Sequence, residues 1–250
     1  VVTRLHFLVD EHGMNLTKAL LGTIIKYPVS SLEICKDSGD IRTKKMGYFY
    51  ADKDNFEDVQ QSTGTCGRRH PLTFLLEAAD DIAYKTADIE DAVKKGCISY
   101  DRLLAELKGF CADRQTDRYR QIVSWLEERY HKGVERGYSG PDQYAVQNWI
   151  ISAQGQMIAG VTDCFTEHYG AIMDGTYGKD MFAGTDVELL MEALGDIAYR
   201  YAFDTRPILK LEIAAQTIFS FLLDRFVDGV IPWDTDLAMT QVQRKMVSLI

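Results

Sequence analysis

The sequence predicts an all-α protein, and three observations support this fold class. Apolar residues recur every three or four positions through most of the chain, which is the spacing of one helix face. The 250 residues include only 5 prolines, and these lie at the ends of such segments. No stretch of useful length alternates apolar and polar residues, as a half-buried strand would. We therefore expect a multi-helix bundle.

The first predicted helices precede Pro28. Residues 1–13 have helical spacing and end at Gly13. Residues 15–27 begin at a capping residue, Asn15 or Thr17, and stop before Pro28, because the residue before a proline disfavours helix. Residues 29–67 are rich in Gly, Asp, Lys and Ser and are predicted to be irregular. A connection of this length is expected to be functional or mobile.

The longer predicted helices follow this connection. A helix over residues 71–96 has Pro71 in its first turn, where the missing N–H costs nothing, and ends at Gly96, where left-handed backbone is tolerated. A short helix lies between Ser99 and Gly109. Further helices are predicted over residues 115–137, 141–172, 185–203 and 206–229.

Composition limits the class of protein. The net charge of −9 argues against a nucleic-acid binder that relies on overall charge, although a local basic pocket is compatible with it. No apolar run reaches the roughly 18 to 20 residues of a membrane span, and no signal peptide is visible. The cysteines are scattered without a CxxC pair, which predicts reduced thiols in a cytoplasmic protein. They are Cys35, Cys66, Cys97, Cys111 and Cys164.

The helix over residues 71–96 carries many acids among apolar residues. At 3.6 residues per turn, one stripe of this helix contains Glu77, Asp80, Tyr84, Asp88 and Asp91. The stripe is either a solvated face or the lining of a polar cavity, where a cation or a substrate hydroxyl compensates the carboxylates. Adjacent aspartates such as Asp80 and Asp81 are poor helix formers, so their presence favours a task such as binding a hard divalent cation.

The motif HPLTFLLEAADDIAYKTADIEDAVKKG, residues 70–96, resembles a segment of the deoxyguanosinetriphosphate triphosphohydrolases. These enzymes form a deoxynucleoside triphosphate (dNTP)-hydrolysing branch of the HD-domain phosphohydrolases. The segments RLHFLVDEHGMNLTKALLGTIIKYP and KKMGYFY also resemble that family in order and spacing. The resemblance covers nearly the whole chain. It implies an HD-domain-like helical bundle, with residues 1–110 as the C-terminal portion of the catalytic domain and residues 111–250 as a helical C-terminal region.

The resemblance also implies an activity. Family members convert a dNTP, with dGTP the favoured substrate here, to the deoxynucleoside and inorganic triphosphate with a divalent metal, Mg²⁺ or Mn²⁺. Asp80 matches the downstream metal ligand. Tyr84 and Asp88 match the residues that contact the deoxyribose, Tyr84 where a 2′-hydroxyl would lie and Asp88 at the 3′-hydroxyl. The family also forms homo-oligomers.

Three residues match the family's triphosphate contacts. These are Lys26 and Tyr27 in IIKYP and Lys45 in KKMGYFY. Lysine suits this role, because it supplies a point charge to phosphate without demanding fixed geometry. The alternatives are a favourable charge at a helix C-terminus for Lys26, a solvated loop lysine for Lys45 and a half-buried packing tyrosine for Tyr84.

The departures from the family pattern concern its histidines. The chain has five histidines and no His-Asp dipeptide, whereas the family's first metal-binding histidine and its His-Asp segment lie upstream of the matched region. We therefore expect the chain to be a fragment that is inactive alone. The alternative is a non-catalytic helical module for nucleotide binding or assembly. His70 is expected to be structural, and Arg68 and Arg69 are expected to be solvated, with a phosphate or nucleobase nearby as the less favoured role.

Overall fold

The computed structural model describes residues 2–3, 13–235 and 238–248. Within these ranges the regular elements are helical and no strand forms, which confirms the all-α prediction. The helix predicted over residues 1–13 falls largely outside the described residues, and residues 2, 3 and 13 lie in turns. His6 and His12 also lie outside them.

The chain divides into two compact units, Val1–Ala198 and Tyr199–Ile250. The boundary predicted near residue 110 separates regions by family resemblance and not by compactness, and it stays a prediction. The first unit contains eight α-helices among its described residues. They are α1 (Lys18–Ile24), α2 (Lys53–Thr63), α3 (Pro71–Lys94), α4 (Tyr100–Gly109), α5 (Asp117–Glu135), α6 (Pro141–Glu167), α7 (Tyr169–Met173) and α8 (Glu188–Ala198).

Helix α3 lies at the centre of the packing in the first unit. It contacts α1, α6 and α8, while α6 also packs along α5. The face of α3 that these helices cover includes Phe74, Ala78, Ile82 and Ile89, all buried. Burial of such side chains stabilises the unit by roughly 1.5–3 kcal/mol for each large residue. One face of the acidic helix is therefore fixed in the core.

The prediction that residues 29–67 are irregular is wrong in part, because this stretch contains α2. Only Phe56 and Val59 are large apolar residues in this helix, so its period is weak in the sequence. Packing against α1 stabilises it, with Val59 and Gln60 buried, and Gly64 ends it in a left-handed conformation. Short 3₁₀ turns occupy much of residues 31–52.

Other predicted boundaries differ modestly from the structure. The segment 141–172 is broken at His168 into α6 and α7, and α8 begins at Glu188. In the second unit, a π-helical segment, Tyr199–Phe203, precedes α9 (Arg206–Asp234), which continues past residue 229 and includes Pro232. Helix α10 (Gln241–Val247) packs against α9. None of the described helices combines the length and apolar character needed to cross a membrane.

Candidate functional site

The acidic stripe of α3 lies largely on the face that the neighbouring helices leave uncovered. The Asp80 side chain is 65% exposed and the Tyr84 residue is 58% exposed. Asp91 is also exposed and pairs with Lys95 one turn later, at 3.1 Å. Within the part of the chain that the structure describes, the stripe is therefore an accessible surface and not an enclosed cavity.

An ion pair joins α3 to the segment that follows α1. Lys26 lies two residues after the end of α1, and its Nζ donates to Asp80 Oδ2 at 2.8 Å. The pKa of Lys26 is raised, first because of this hydrogen bond, with the charges of Asp80, Glu77 and Asp81 adding to it. Two predicted site residues that are 54 positions apart in sequence are thus in direct contact.

A buried arginine supports this pair. Arg69 precedes α3 by two positions, and its side chain is only 2% exposed. Its Nε donates to the Lys26 carbonyl at 2.7 Å and its Nη1 to Glu77 Oε2 at 2.6 Å. The prediction of a solvated arginine pair is therefore wrong for Arg69, because Glu77 and a backbone carbonyl accept from Nη1 and Nε inside the protein, while Nη2 is buried without a partner among the described residues. Arg68 is exposed, as expected.

The start of α3 also satisfies the last carbonyls of α1, which have no partner within their own helix. The buried Thr73 hydroxyl donates to the Thr23 carbonyl at 2.8 Å. His70 caps α3, because its Nδ1 accepts from the Leu72 amide, and it also lies 3.2 Å from Thr23 Oγ1. The expected structural role of His70 is consistent with these contacts. The last turn of α1 is thus attached to the start of α3 at two points.

The loop that carries Lys45 lies against residues 25–29, which form the Lys26 segment. The amide of Gly47 donates to the Val29 carbonyl at 2.9 Å. A Cβ at Gly47 would overlap the Tyr27 carbonyl oxygen, so only glycine allows this approach. The backbone near Lys45 is therefore held beside Lys26 and Tyr27, while the Lys45 side chain is exposed.

Asp88, the second of the predicted sugar contacts, is partly buried. It lies one turn after Tyr84, and its Oδ2 is buried without a hydrogen-bond partner among the described residues. Burial raises the pKa of the Asp88 carboxyl, and the charge of Asp91 raises it further. A buried acceptor without a partner is costly, so the Asp88 carboxylate is destabilising in this state of the protein.

The described residues offer few ligands to a divalent cation. No group of three His, Cys, Asp or Glu side chains that could hold a metal occurs in residues 2–3, 13–235 and 238–248. Lys26 contacts one Asp80 oxygen, which leaves the other able to serve as a ligand. The residues present therefore fit one ligand of a metal site and not a complete site, since such cations take about six oxygen ligands.

The sequence prediction missed several residues that shape this site. Arg69 and Glu77 form the buried pair, Thr73 joins α3 to α1, and Gly47 allows the loop to approach. Helical spacing gives no signal for the first pair, because Arg69 lies before α3 and Glu77 lies within it. The contacts to Lys26 and Tyr27 join distant segments and leave no local pattern.

Comparison with known proteins adds evidence of kinship. No protein-family model matches the chain. A deoxyguanosinetriphosphate triphosphohydrolase-like protein of Listeria monocytogenes is 38% identical over all of this chain and 53% of its own length. The deoxyguanosinetriphosphate triphosphohydrolase of Yersinia enterocolitica is 27% identical over 84% of this chain and 42% of its own. A triphosphohydrolase-like protein of Synechocystis is 25% identical over 92% of this chain and 50% of its own.

The chain spans about half the length of the curated relatives it matches. The first of these matches covers every residue of the chain, including the segments that carry the resemblance seen in the sequence. That resemblance is therefore confirmed: this chain is similar along its whole length to a deoxyguanosinetriphosphate triphosphohydrolase-like protein, and over 84% of its length to a deoxyguanosinetriphosphate triphosphohydrolase.

Proposed function

We propose that the intact protein containing this chain hydrolyses dNTPs, with dGTP the favoured substrate, to a deoxynucleoside and inorganic triphosphate. The observation that carries this proposal is the contact of Lys26 with Asp80 on the helix that also presents Tyr84 and Asp88. The proposed metal-binding carboxylate and the two proposed sugar contacts then share one face of α3, with the proposed phosphate-binding lysine beside them. The names of the relatives support the same activity.

The proposed metal is a divalent cation, Mg²⁺ or Mn²⁺, to which Asp80 supplies one ligand. When bound, such an ion polarises a phosphoryl oxygen and stabilises the charge that develops there. Because the described residues supply a single ligand, the proposal requires further donors from elsewhere in the intact protein. The chain alone is then expected to be inactive.

The proposed phosphate contacts are Lys26, Tyr27 and Lys45. Lys26 already neutralises part of the acidic face at Asp80, and their hydrogen bond raises the pKa of Lys26. The Gly47 contact holds the backbone near Lys45 beside the Lys26 segment. The proposal therefore uses two lysines from neighbouring segments to offset the charge of a triphosphate.

The proposed sugar contacts are Tyr84 and Asp88. Tyr84 presents its ring on the exposed face, where it would exclude a 2′-hydroxyl by contact. Asp88 would accept a hydrogen bond from the 3′-hydroxyl through its buried, unpartnered oxygen. A site that leaves a buried acceptor unsatisfied discriminates strongly against analogues that lack the donor.

The test is dGTP hydrolysis by the intact protein with Mn²⁺, measured as released deoxyguanosine and triphosphate. Asp80→Ala is expected to reduce turnover by about 10³-fold or more, because it removes a metal ligand and the partner of Lys26. Asp91→Ala is the matched control, since Asp91 is an exposed acid on the same stripe whose partner is Lys95. Full activity in Asp80→Ala would refute the metal-ligand assignment.

A second candidate function is a non-catalytic helical module that binds nucleotide or assembles with a partner. The incomplete donor set among the described residues favours it. Equilibrium binding of a non-hydrolysable dGTP analogue distinguishes the two. Binding by an intact protein that never releases triphosphate would support the module, whereas turnover with either metal would exclude it.

We also propose that the protein is a cytoplasmic homo-oligomer. All five cysteines are free thiols, as expected in a reducing compartment. Helix α9 exposes large apolar side chains, and burying such side chains between subunits would stabilise an assembly. Replacing Phe219 with Asp is expected to shift the intact protein to a smaller species in sedimentation experiments. An unchanged sedimentation profile would argue against α9 as the interface.

A further inference from the structure

The guanidinium of Arg69 connects the Lys26 segment to α3 through two directed bonds. Nε donates to the Lys26 carbonyl at 2.7 Å, and Nη1 donates to Glu77 Oε2 at 2.6 Å. Because the guanidinium is planar, its donors point in fixed directions. The position of the Lys26 backbone is thereby set relative to the second turn of α3.

The surroundings of Arg69 leave it little freedom. Its side chain is almost fully buried, and its guanidinium carbon lies 5.3 Å from the centre of the Phe74 ring and 5.9 Å from that of Tyr27. If the Arg69 guanidinium moved, the Glu77 carboxylate would lose its hydrogen-bonded partner, which is costly for a buried ion pair. The pairing with Glu77 therefore also keeps the guanidinium at the Lys26 carbonyl.

The Lys26 amine depends on this arrangement. Its Nζ reaches Asp80 Oδ2, one turn beyond Glu77 on α3. A lysine stem is long and flexible, so the amine can lie in many places unless its backbone is fixed. The same helix holds the backbone of Lys26 through Arg69 and receives its amine through Asp80.

We propose that Arg69 is a positioning residue, which fixes the Lys26 backbone so that the Lys26 amine lies at the Asp80 carboxylate, where substrate phosphates would bind. Its consequence for catalysis rests on the proposed function, whereas the positioning itself does not. Arg69 touches no reacting group in this assignment and acts through Lys26.

Hydrogen–deuterium exchange of the intact protein without substrate tests the positioning. The amides of Ile25 and Val29 bond to the carbonyls of Gly22 and Tyr27 and report on this segment. Arg69→Met is expected to speed exchange over residues 25–29 by about tenfold, as expected for the loss of a charge-assisted hydrogen bond. Unchanged exchange there would overturn the proposal, whether or not the protein hydrolyses dNTPs.

Two further variants separate positioning from general stability. Thr86→Val removes the acceptor of a bond between α6 and α3, which Gln154 Nε2 donates to Thr86 Oγ1 at 2.8 Å, without touching residues 22–29. It is expected to lower Tm but leave exchange over residues 25–29 and KM unchanged. Arg69→Lys keeps the buried charge but cannot reproduce the planar fork, so an intermediate effect is expected. It carries the test if Arg69→Met does not fold.

Kinetics then test the consequence. Arg69→Met is expected to raise KM for dGTP by about tenfold while kcat changes by less than about twofold. This is the result expected when an interaction that binds substrate and transition state equally is lost. In a Lys26→Met background the same substitution should leave KM unchanged, because the amine it positions is gone. An equal KM effect in both backgrounds would overturn the proposal. If the wild-type protein hydrolyses no dNTP, the proposed function fails and the exchange experiment alone decides the positioning.

Discussion

Helices α3 and α9 are both long and rich in apolar residues, yet they differ in what covers them. In α3, one face is buried by three neighbouring helices, and the exposed face carries the carboxylates. In α9, Gly229 is the one buried residue, and large apolar side chains along the helix are exposed. These include Leu211, Ile213, Ile218, Phe219, Phe221, Leu223 and Trp233.

The difference shows that hydrophobic content does not decide burial, because burial requires a partner surface. Where partners exist, as for α3, the face left over is polar and available for binding. Where an apolar face lies open, as in α9, the helix is suited to contact another surface. The two helices therefore have different proposed uses, substrate binding for α3 and assembly for α9.

The largest effect is expected from a matched pair of substitutions that remove the same atoms from each helix. Ile89 in α3 has no exposed surface, whereas Ile213 in α9 is 57% exposed. Ile89→Ala is expected to reduce the free energy of unfolding by about 2–5 kcal/mol, from lost burial and the cavity left behind. Ile213→Ala is expected to change it by less than about 0.5 kcal/mol.

Chemical denaturation of the intact protein, followed by circular dichroism, measures both values. Similar losses for the two variants would break the comparison, because they would show that the exposed face of α9 is covered in the intact protein. A loss of stability confined to Ile89→Ala would show that the exposed face of α9 is also uncovered in the intact protein.

A smaller effect is expected at the segment after α1, which Arg69 holds against α3. At Gly47 an added Cβ would overlap the Tyr27 carbonyl. Gly47→Ala is therefore expected to cost about 1–3 kcal/mol, as overpacking does, and to raise KM for dGTP through Lys26 and Lys45. Gly178→Ala is the control, because a Cβ there meets no atom within 4 Å. Equal Tm values for the two variants would contradict the close approach.

The smallest effect is expected at Asp88, on the uncovered side of α3. Because burial raises its pKa, the native protein binds this proton more tightly than the unfolded chain does. Stability attributable to this carboxyl therefore falls as pH rises through its titration range. Asp88→Asn removes that loss and is expected to raise Tm by about 1–2 °C at pH 7, with a smaller gain in acid.

Thermal unfolding at several pH values measures the gain, with Asp91→Asn as the exposed control. A gain that is independent of pH would show that the charge of Asp88 is not the cause. Such a stabilising substitution is expected to weaken dGTP binding, as is common where a site contains an unsatisfied group.

Much of the fold follows from local signals. Thr17, Ser99 and Thr116 cap helices through their side chains, and Pro71 lies in the first turn of α3, as patterns of this kind predict. Helix α2 was missed because two large apolar residues give too weak a period, and its formation depends on packing against α1. Hydrophobic spacing does not predict a helix whose stability comes from packing against a neighbouring helix.

The candidate site was predictable along α3 and unpredictable across segments. The spacing of Asp80, Tyr84 and Asp88 places them along one helix stripe, which needs only the helical period. The pairing of Lys26 with Asp80 and the burial of Arg69 need the relative position of α1 and α3. Those contacts span 54 and 43 positions, beyond any local pattern.

The sequence by itself determined the helical class, most helix boundaries, the acidic stripe and the family resemblance, because period, caps and motifs act over a few neighbouring residues. Tertiary structure alone decided which face of α3 is covered, that Arg69 is buried, that one Asp88 oxygen lacks a partner and that Gly47 must remain glycine. These properties depend on which distant atoms come into contact, and that is settled only when the helices pack.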